Sequence, residues 1–399
     1  MLNKLRQRTA SSGTDFLLLS ALMVNTALVQ VAVSITRITT SYRAVDLGLS
    51  VIWLGVITAG FALLPIIFAV SVGRFIDRGN DSRALWIGST LLLGVCAAFP
   101  FAASPLTLFL CNVALGIGHI FLMASQQMLC LRCARGQVQQ MDSVFGTYMV
   151  SGAVGTTLGP AIIGYFGGAS KVPPTHLLFE IAFGFAVVVF IVSMCIRPGV
   201  EPGKENRDAP VVPVRTILNT PGLLAVLFLS VMSVTAIDLI VVYLPILGIE
   251  RGIDVKNIGL LLSVRACASI VSRLFYARMI RFVGRHPLMV SSSFGGAIGF
   301  VMLALPVPMW VLVAAVIIVG FTLGIASTLS ITGTIDLVGA AGRGTANTLR
   351  IMGNRLGQVG MPTLAGLIAT AFGVGGVFMI IAGTLAAATA SIMVSRPRR

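Results

Sequence analysis

The sequence predicts an all-α integral membrane protein in which twelve transmembrane helices form two pseudo-symmetric six-helix bundles. Three observations carry this prediction: an apolar composition, apolar stretches of membrane-spanning length, and an internal repeat. Hydrophobic residues make up 56% of the 399 residues and charged residues only 10%, whereas a soluble domain has roughly 25% charged residues. Water is therefore not the solvent for most of the surface of this chain.

Apolar stretches of about 20 residues, enough to cross a bilayer core of about 30 Å, recur along the chain. The first follows Asp15 and shows no small-residue cleavage site, which identifies it as a membrane helix and not as a cleaved signal. The predicted helices cover residues 16–43, 51–73, 84–103, 106–130, 144–168, 177–196, 219–247, 255–277, 287–305, 309–335, 345–371 and 374–394.

The longest hydrophilic segment, 197–218, carries prolines among charged residues and is interpreted as a cytoplasmic linker. It separates an N-terminal six-helix bundle over 1–196 from a C-terminal one over 219–399. Residues of the two bundles match in a shared register, which chance similarity of glycine-rich helices does not explain. At an offset of 204 residues the matches are Gly48 with Gly252, Val51 with Val255, Gly55 with Gly259 and Gly116 with Gly320; at 202 residues they are Gly155 with Gly357, Pro160 with Pro362 and Gly164 with Gly366.

The basic residues predict the orientation of the helices. If both termini lie on one side, the loops of that side hold 20 of the 28 Lys and Arg residues and the opposite loops hold four. The positive-inside rule then places both termini in the cytoplasm. The net charge of +15 is thus a topology signal, and we expect no nucleic-acid partner, because basic residues here do not interleave with aromatic ones.

Three charged residues inside predicted helices lie at comparable depth: Arg37 in helix 1, Asp238 in helix 7 and Arg265 in helix 8. A charged side chain within the membrane is costly and normally faces a cavity or a partner. Asp238 is the only acid well inside a predicted helix, so it is the candidate proton-coupling residue. Alternatively, Asp238 forms a structural ion pair with Arg37 or Arg265. Proton coupling and ion pairing are both possible if a proton or the substrate competes with the arginine for the carboxylate.

The candidate substrate-binding residues are Arg37, Arg265, Arg355, Gln358 and His119. Two arginines against one acid favour an anionic or zwitterionic substrate, because a guanidinium pairs bidentately with carboxylate or phosphate. Gln358 lies on a polar stripe of predicted helix 11, with Arg355 beside it, and His119 lies in helix 4; hydrogen bonding between helices is the alternative for all three. Methionine and aromatic residues of these helices fit an apolar drug pocket or ordinary packing.

Two motifs resemble signatures of the major facilitator superfamily. The loop after helix 2 reads Gly73-Arg-Phe-Ile-Asp77-Arg78 and resembles the G-x-x-x-D-R-x-G-R signature, with its later positions altered. Helix 5 reads Gly155-Thr-Thr-Leu-Gly159-Pro160 and is similar to the antiporter motif G-x-x-x-G-P-x-x-G-G, of which one later glycine is replaced.

The resemblance implies the major facilitator fold, alternating access, and a place in the bacterial twelve-helix proton-antiporter branch that exports drugs or metabolites. It also implies a bacterial inner-membrane location. The residues it implies for conformational switching are Gly73, Asp77, Arg78, Gly155, Gly159 and Pro160. One departure is Asn112, which stands where drug-proton antiporters carry an arginine in helix 4, so that proton coupling must be organised differently.

The sequence therefore predicts a secondary active transporter that moves a small organic solute by proton-coupled efflux. The alternatives are a proton-coupled symporter that takes up an organic anion or metabolite, and a non-transporting membrane receptor. The sequence carries no Walker loop, nucleophile motif or metal-ligand spacing, so we expect no enzyme activity, cofactor or metal. The expected partners are the substrate, protons and the lipid bilayer, and the chain is expected to be a monomer.

Overall fold

The computed structural model describes residues 2–76, 80–133, 138–196, 214–338 and 343–395. Ten long helices follow one another up to residue 337: α1 (Leu2–Asp46), α2 (Val51–Phe75), α3 (Asp81–Ala98), α4 (Pro105–Cys133), α5 (Val138–Gly167), α6 (Thr175–Cys195), α7 (Leu223–Arg251), α8 (Val255–Val283), α9 (Arg285–Ala304) and α10 (Met309–Leu337). A single 3₁₀ turn, Phe99–Phe101, follows α3, and a five-residue helix, Val214–Leu218, precedes α7.

The last helical stretch, Arg343–Val394, contains two helices. Gly373 lies within it at φ 68° and ψ 178°, outside the helical region, and such a positive φ suits glycine because it has no Cβ. The apolar part, Leu349–Val394, has 46 residues, about 69 Å of helix at 1.5 Å per residue, which is more than twice a bilayer core. We number residues 343–372 as α11 and residues 374–394 as α12.

The prediction of an all-α fold with twelve membrane-spanning helices in two bundles is confirmed. Eleven described segments are long and apolar enough to cross a membrane, and the division at Gly373 turns the last of them into two crossings. The predicted linker, 197–218, lies largely outside the described residues, so its bounds stay a prediction.

The helix ends differ from the predicted ends where polar residues continue a helix beyond its apolar part. The first helix begins at Leu2 and not at residue 16, and α8 continues to Val283 and not to residue 277. Arg278 and Arg281 lie in the added turns of α8, and arginine is a good helix former. Hydropathy marks the part of a helix that suits lipid, whereas backbone hydrogen bonding continues past it.

The internal repeat corresponds to equivalent helix crossings in the two bundles. A Cβ added to Gly116 of α4 would overlap the backbone carbonyl oxygen of Phe61 in α2. In the second bundle, a Cβ on Gly320 of α10 would overlap the carbonyl oxygen of Arg265 in α8. Phe61 and Arg265 are separated by the same 204 residues as the two glycines, so each pair of helices crosses at the same point.

The two bundles contact each other through the same kind of crossing. A Cβ on Gly55 of α2 would overlap the carbonyl oxygen of Pro362 in α11, and one on Gly259 of α8 would lie 2.5 Å from the carbonyl oxygen of Pro160 in α5. Small residues permit such close approach of membrane helices. The crossings α2–α11 and α5–α8 are therefore the principal contacts between the halves.

These contacts lie towards one end of the molecule. We call the end at which α1 begins and α12 ends the terminal end, and the opposite end the distal end. At the distal end, the backbone N–H of Val255 donates to the carbonyl of Ser170 at 2.9 Å, and that of Lys256 donates to Gly168 at 3.0 Å. Backbone hydrogen bonds between the start of α8 and the loop after α5 thus close the distal end.

A ring of largely exposed aromatic side chains surrounds the distal end. Its members are Trp53, Phe101, Tyr165, Trp310 and Phe372. Tryptophan and tyrosine prefer the depth at which hydrocarbon meets the lipid head groups. The ring therefore marks the expected bilayer boundary at this end.

We expect Gly320→Ala to destabilise the protein by about 1–3 kcal/mol, because overpacking a close contact forces helices apart. Gly94→Ala is the matched control, since Gly94 lies on α3 with no atom within 4 Å of an added Cβ. Thermal unfolding of the purified chain in detergent measures both changes. Equal melting temperatures for the two variants would contradict the described α8–α10 crossing.

Candidate functional site

A cavity of about 750 Å³ lies between the two bundles. Its wall is formed by α1, α2, α4 and α5 of the first bundle and by α7, α8, α10 and α11 of the second. It extends from mid-depth towards the terminal end, where Gly73, Arg273 and Asn347 belong to its wall. A volume of this size suits a small-molecule ligand.

An ion pair between Arg37 and Asp238 joins the two bundles in this cavity. Nη1 of Arg37 lies 2.8 Å from Oδ1 of Asp238, and the side chains are 14% and 13% exposed. The sequence left open whether Asp238 pairs with Arg37 or with Arg265, and in the structure the partner is Arg37. Removal of one member would leave a poorly hydrated, unpaired charge, which is unfavourable.

The second carboxylate oxygen of Asp238 is held from α11. The side-chain amide of Gln358 donates to Oδ2 of Asp238, and Nη1 of Arg355 donates to Oε1 of Gln358 at 3.0 Å. The amide has one donor end and one acceptor end, so these two neighbours determine its orientation. Asp238 is therefore held by Arg37 across the interface and by Gln358 within its own bundle.

Aromatic side chains of the first bundle support Arg37 from the other side. The guanidinium carbon of Arg37 lies 4.5 Å from the ring centroid of Phe61, a cation–π distance. The rings of Phe61 and His119 have centroids 5.4 Å apart, and Nε2 of His119 lies 3.4 Å from Nε2 of Gln30. His119, one of the predicted substrate-binding residues, therefore contacts Phe61, which in turn contacts Arg37.

Arg265 belongs to the same cavity but has a different environment. Its residue surface is 7% exposed, and its Nε has no hydrogen-bond partner within the described part of the chain. A buried cation without a carboxylate partner is unfavourable unless water or a ligand compensates it. Of the three charged residues predicted at comparable depth, Arg37 and Asp238 form the ion pair. Arg265 has no carboxylate partner among the described residues and is available to bind a ligand.

The described cavity wall is strongly basic. It contains five arginines, Arg37, Arg265, Arg273, Arg350 and Arg355, and Asp238 is its one acidic residue among those the structure describes. Arg350 donates from Nε and Nη2 to Oδ1 of Asn347, at 3.2 and 3.0 Å. The wall therefore has four more cationic than anionic side chains.

The sequence interpretation missed Arg273 and Phe61 as site residues. Arg273 lies four residues before the end of the predicted helix 255–277 and was counted among the basic residues of the cytoplasmic side, whereas α8 continues to Val283 and places Arg273 ten residues inside the helix. Phe61 is an apolar residue in an apolar helix and has no signal of its own. The repeat was the available signal, because Phe61 aligns with Arg265 at the offset of 204 residues.

The predicted switch residues of α5 face two different helices. A Cβ on Gly155 would overlap the carbonyl oxygen of Ala27, and one on Gly159 would lie 2.5 Å from Cβ of Ser34, both in α1. Pro160 instead faces α8 of the other bundle through its carbonyl group. This stretch thus contacts its own bundle and the opposite one, and its role in switching stays a prediction.

The remaining predicted switch residues lie at the terminal end. Gly73 belongs to the cavity wall and has no atom within 4 Å of an added Cβ. Asp77 and Arg78 lie outside the described residues. Asn112, the departure in helix 4, is buried and donates to the carbonyl of Leu108 in its own helix at 2.9 Å, so it supplies no polar group to the cavity.

The sequence model of the Major Facilitator Superfamily matches residues 22–258 and 226–399. The chain therefore belongs to this superfamily, whose members are membrane transporters of small solutes. A comparison with curated protein sequences gives no match.

Solved transporter structures share the fold. A crystal structure of a mutant of the nucleoside transporter NupG is 13% identical, with a TM-score of 0.83, and the match covers 95% of this chain and 100% of that one. A bacterial homologue of the human lysosomal transporter Spinster, in an inward-facing and occupied conformation, is 16% identical with a TM-score of 0.76, covering 94% and 96% of the two chains. At these identities the likeness concerns the fold.

We expect Arg37→Met and Asp238→Leu each to destabilise the protein by on the order of 2 kcal/mol, since each leaves one buried charge unpaired. The double variant Arg37→Met/Asp238→Leu is expected to lose less than the sum of the two. A double-mutant cycle of thermal unfolding in detergent measures the coupling.

Asp46→Leu is the control for this cycle, because the Asp46 side chain, which pairs with Arg43, is 45% exposed. An exposed pair contributes little to stability. Additive effects of the two single variants would show that the described Arg37–Asp238 pair does not stabilise the fold.

Proposed function

We propose that the chain is a secondary transporter of small organic anions in which Asp238 couples transport to protons. The observation that carries this proposal is the excess of four arginines over carboxylates in the cavity wall. A guanidinium presents a planar set of donors that matches carboxylate or phosphate. The absence of any ATP-binding motif from the sequence supports transport driven by an ion gradient.

The wall favours an anion over a zwitterion or a cation. The ammonium group of a zwitterion would require an acidic partner, and Asp238 is already bonded to Arg37 and Gln358. The nucleosides named for NupG are uncharged molecules at neutral pH, and a wall with five arginines supports a different substrate class here. The proposed substrate therefore carries negative charge.

The Arg37–Asp238 pair suggests how a proton and an anion would bind together. A proton on Asp238 removes the charge that holds Arg37, and Arg37 then becomes free to bind an oxygen of the substrate. Because binding free energies are reciprocal, bound anion would in turn favour the protonated carboxylate. Positive coupling of this kind supports symport, the alternative that the sequence left open.

Proton-coupled efflux remains the prediction from the resemblance of α5 to the antiporter motif. Antiport requires that the bound proton and the bound substrate exclude each other. A cationic substrate that binds the Asp238 carboxylate would compete with the proton directly, whereas an anionic substrate would not. For an anionic substrate we therefore favour symport. In a bacterial inner membrane with both termini in the cytoplasm, the cavity would face inward, and an inward proton gradient would drive uptake.

Organic anions are expected to raise the melting temperature of the purified chain, and uncharged or cationic analogues are not, because only the anions compensate the arginines. A panel of carboxylates, sulfonates and phosphate monoesters with amide and amine analogues checks this by thermal shift. The best-binding anion is then added outside proteoliposomes that enclose a pH-sensitive dye. Symport predicts acidification of the lumen.

Three other results of these assays would each contradict a part of the proposal. Alkalinisation of the lumen would show antiport and contradict the coupling argued from Arg37. Binding without flux under any imposed gradient would identify a receptor. Stabilisation by amines or amides alone would contradict an anionic substrate.

Asp238→Asn is expected to abolish accumulation driven by a proton gradient and to retain exchange of anion across the membrane. The amide cannot ionise, so Arg37 stays free for substrate whatever the pH. Asp46→Asn at the distal end is the control and should leave accumulation unchanged. Gradient-driven accumulation at the wild-type level in Asp238→Asn would exclude this residue from coupling.

A further inference from the structure

We propose that the transported anion is amphiphilic, with its charged headgroup held by the second bundle and an apolar or aromatic body held by the first. This inference rests on the proposed organic-anion transport and adds the substrate class. Three observations support it: the unequal charge of the two cavity walls, the equivalent positions of Phe61 and Arg265, and the Nε of Arg265, which has no hydrogen-bond partner among the described residues.

The charges of the described cavity wall are concentrated in the second bundle. Arg265, Arg273, Arg350 and Arg355 all belong to α8 or α11. The first bundle contributes one arginine, Arg37, and its charge is compensated by Asp238 at 2.8 Å. A free anion in the cavity is therefore attracted towards the wall formed by α8 and α11.

The facing wall of the first bundle carries less charge and includes apolar and aromatic side chains. Besides Arg37, His119 and the amide and hydroxyl side chains, it contains Phe61, Ile120, Met123, Tyr148 and Met149. Methionine side chains adapt to ligands of varied shape, and Met149 is 39% exposed. An apolar body placed against this wall gains free energy through the water it displaces.

Phe61 and Arg265 occupy equivalent positions in the two bundles. Each lies at the close crossing of its helix with a glycine, Gly116 for Phe61 and Gly320 for Arg265, and each belongs to the cavity wall. Both are ten residues from the distal start of their helices, Val51 and Val255. The repeat thus places an aromatic ring on one wall and a guanidinium on the other at the same depth.

The same division continues towards the terminal end. Arg273 lies two helical turns beyond Arg265 in α8, about 12 Å along the helix at 1.5 Å per residue. Met123 of α4 is ten residues from the terminal end of its helix, as Arg273 is from the end of α8. A substrate that enters from the terminal end would therefore meet Arg273 on one wall and Met123 on the other before it reaches Arg265 and Phe61.

Arg265 is the proposed headgroup residue. It is more than nine-tenths buried, its Nε has no hydrogen-bond partner among the residues that the structure describes, and it belongs to the wall of a cavity large enough for a ligand. An oxyanion beside this guanidinium would supply both the missing hydrogen bond and the missing charge. Carboxylates, sulfonates and phosphate monoesters share this chemistry.

The test on the wild-type chain uses probes that vary the headgroup and the body separately. These are 2-naphthoate, 2-naphthamide and acetate, with 2-naphthyl phosphate and 2-naphthalenesulfonate to compare headgroups. Binding is measured on the full chain in lipid nanodiscs. We expect 2-naphthoate to bind at least about tenfold more tightly than either 2-naphthamide or acetate, a difference of about 1.4 kcal/mol.

Two variants test which wall binds the charged headgroup of the probe and which wall binds its apolar body. Arg265→Gln is expected to weaken 2-naphthoate about tenfold, close to the 1.4 kcal/mol scale of one charge-assisted contact, and to leave 2-naphthamide unchanged. Met149→Gln is expected to weaken both naphthyl probes and to leave acetate unchanged. The controls, Arg281→Gln and Met352→Gln, change the same residue types at exposed positions outside the described cavity wall.

The outcomes separate this inference from the function on which it rests. If acetate binds as tightly as 2-naphthoate, or if Met149→Gln weakens acetate equally, the amphiphilic division is wrong while anion transport stands. If 2-naphthamide binds as tightly as 2-naphthoate, the anionic substrate itself is wrong. The wild-type series decides between these even where a variant fails to fold.

Discussion

The ion pair between Arg37 and Asp238 is the interaction on which the centre of this protein depends. Charged side chains in the middle of a membrane protein need partners or water, and here each bundle supplies one partner. The 2.8 Å contact therefore joins the halves at the wall of the cavity that separates them. Phe61 and Gln358 hold the two members from behind, so that the pair is one link of a network from α2 to α11.

Close backbone contacts complement this pair at the distal end. Gly55 against Pro362 and Gly259 against Pro160 allow helices of different bundles to approach without side chains between them. Such contacts give up little hydrophobic burial when they part, because lipid is as apolar as the residues it replaces. A closed distal end and a polar pair at mid-depth are thus contacts that alternating access can break and remake.

Membership of the Major Facilitator Superfamily accounts for the architecture, and the charges of the cavity wall come from particular residues of this chain. An excess of arginines in a cavity wall is less favourable when the cavity is empty than when it holds an anion. Arg265 expresses this most clearly, because it is more than nine-tenths buried and its Nε lacks a partner among the described residues. The facing wall of the first bundle has one arginine, Arg37, and it is paired with Asp238, so the remaining arginines of the described wall all belong to the second bundle.

The sequence by itself determined the number of helices, the division into similar halves and the residues that bear charge inside the membrane. Hydropathy and internal repeats depend only on the order of the residues, so they can be recognised without knowledge of how the helices pack. Even the break at Gly373 was marked by the predicted gap between residues 371 and 374. The helix ends were less predictable, because arginines extend α8 past its apolar part to Val283. Arg273 therefore lies ten residues inside the helix, in the cavity wall.

Only the tertiary structure decided which charges meet. Arg37 and Arg265 were equivalent partners for Asp238 in the sequence, since both lie at a suitable depth. The rotation of each helix about its axis and the crossings at Gly116 and Gly320 place Arg37 against the carboxylate and leave Arg265 without an ion-pair partner among the described residues. Pairing depends on distances of a few ångströms between helices far apart in the chain, and no local pattern of residues contains that information.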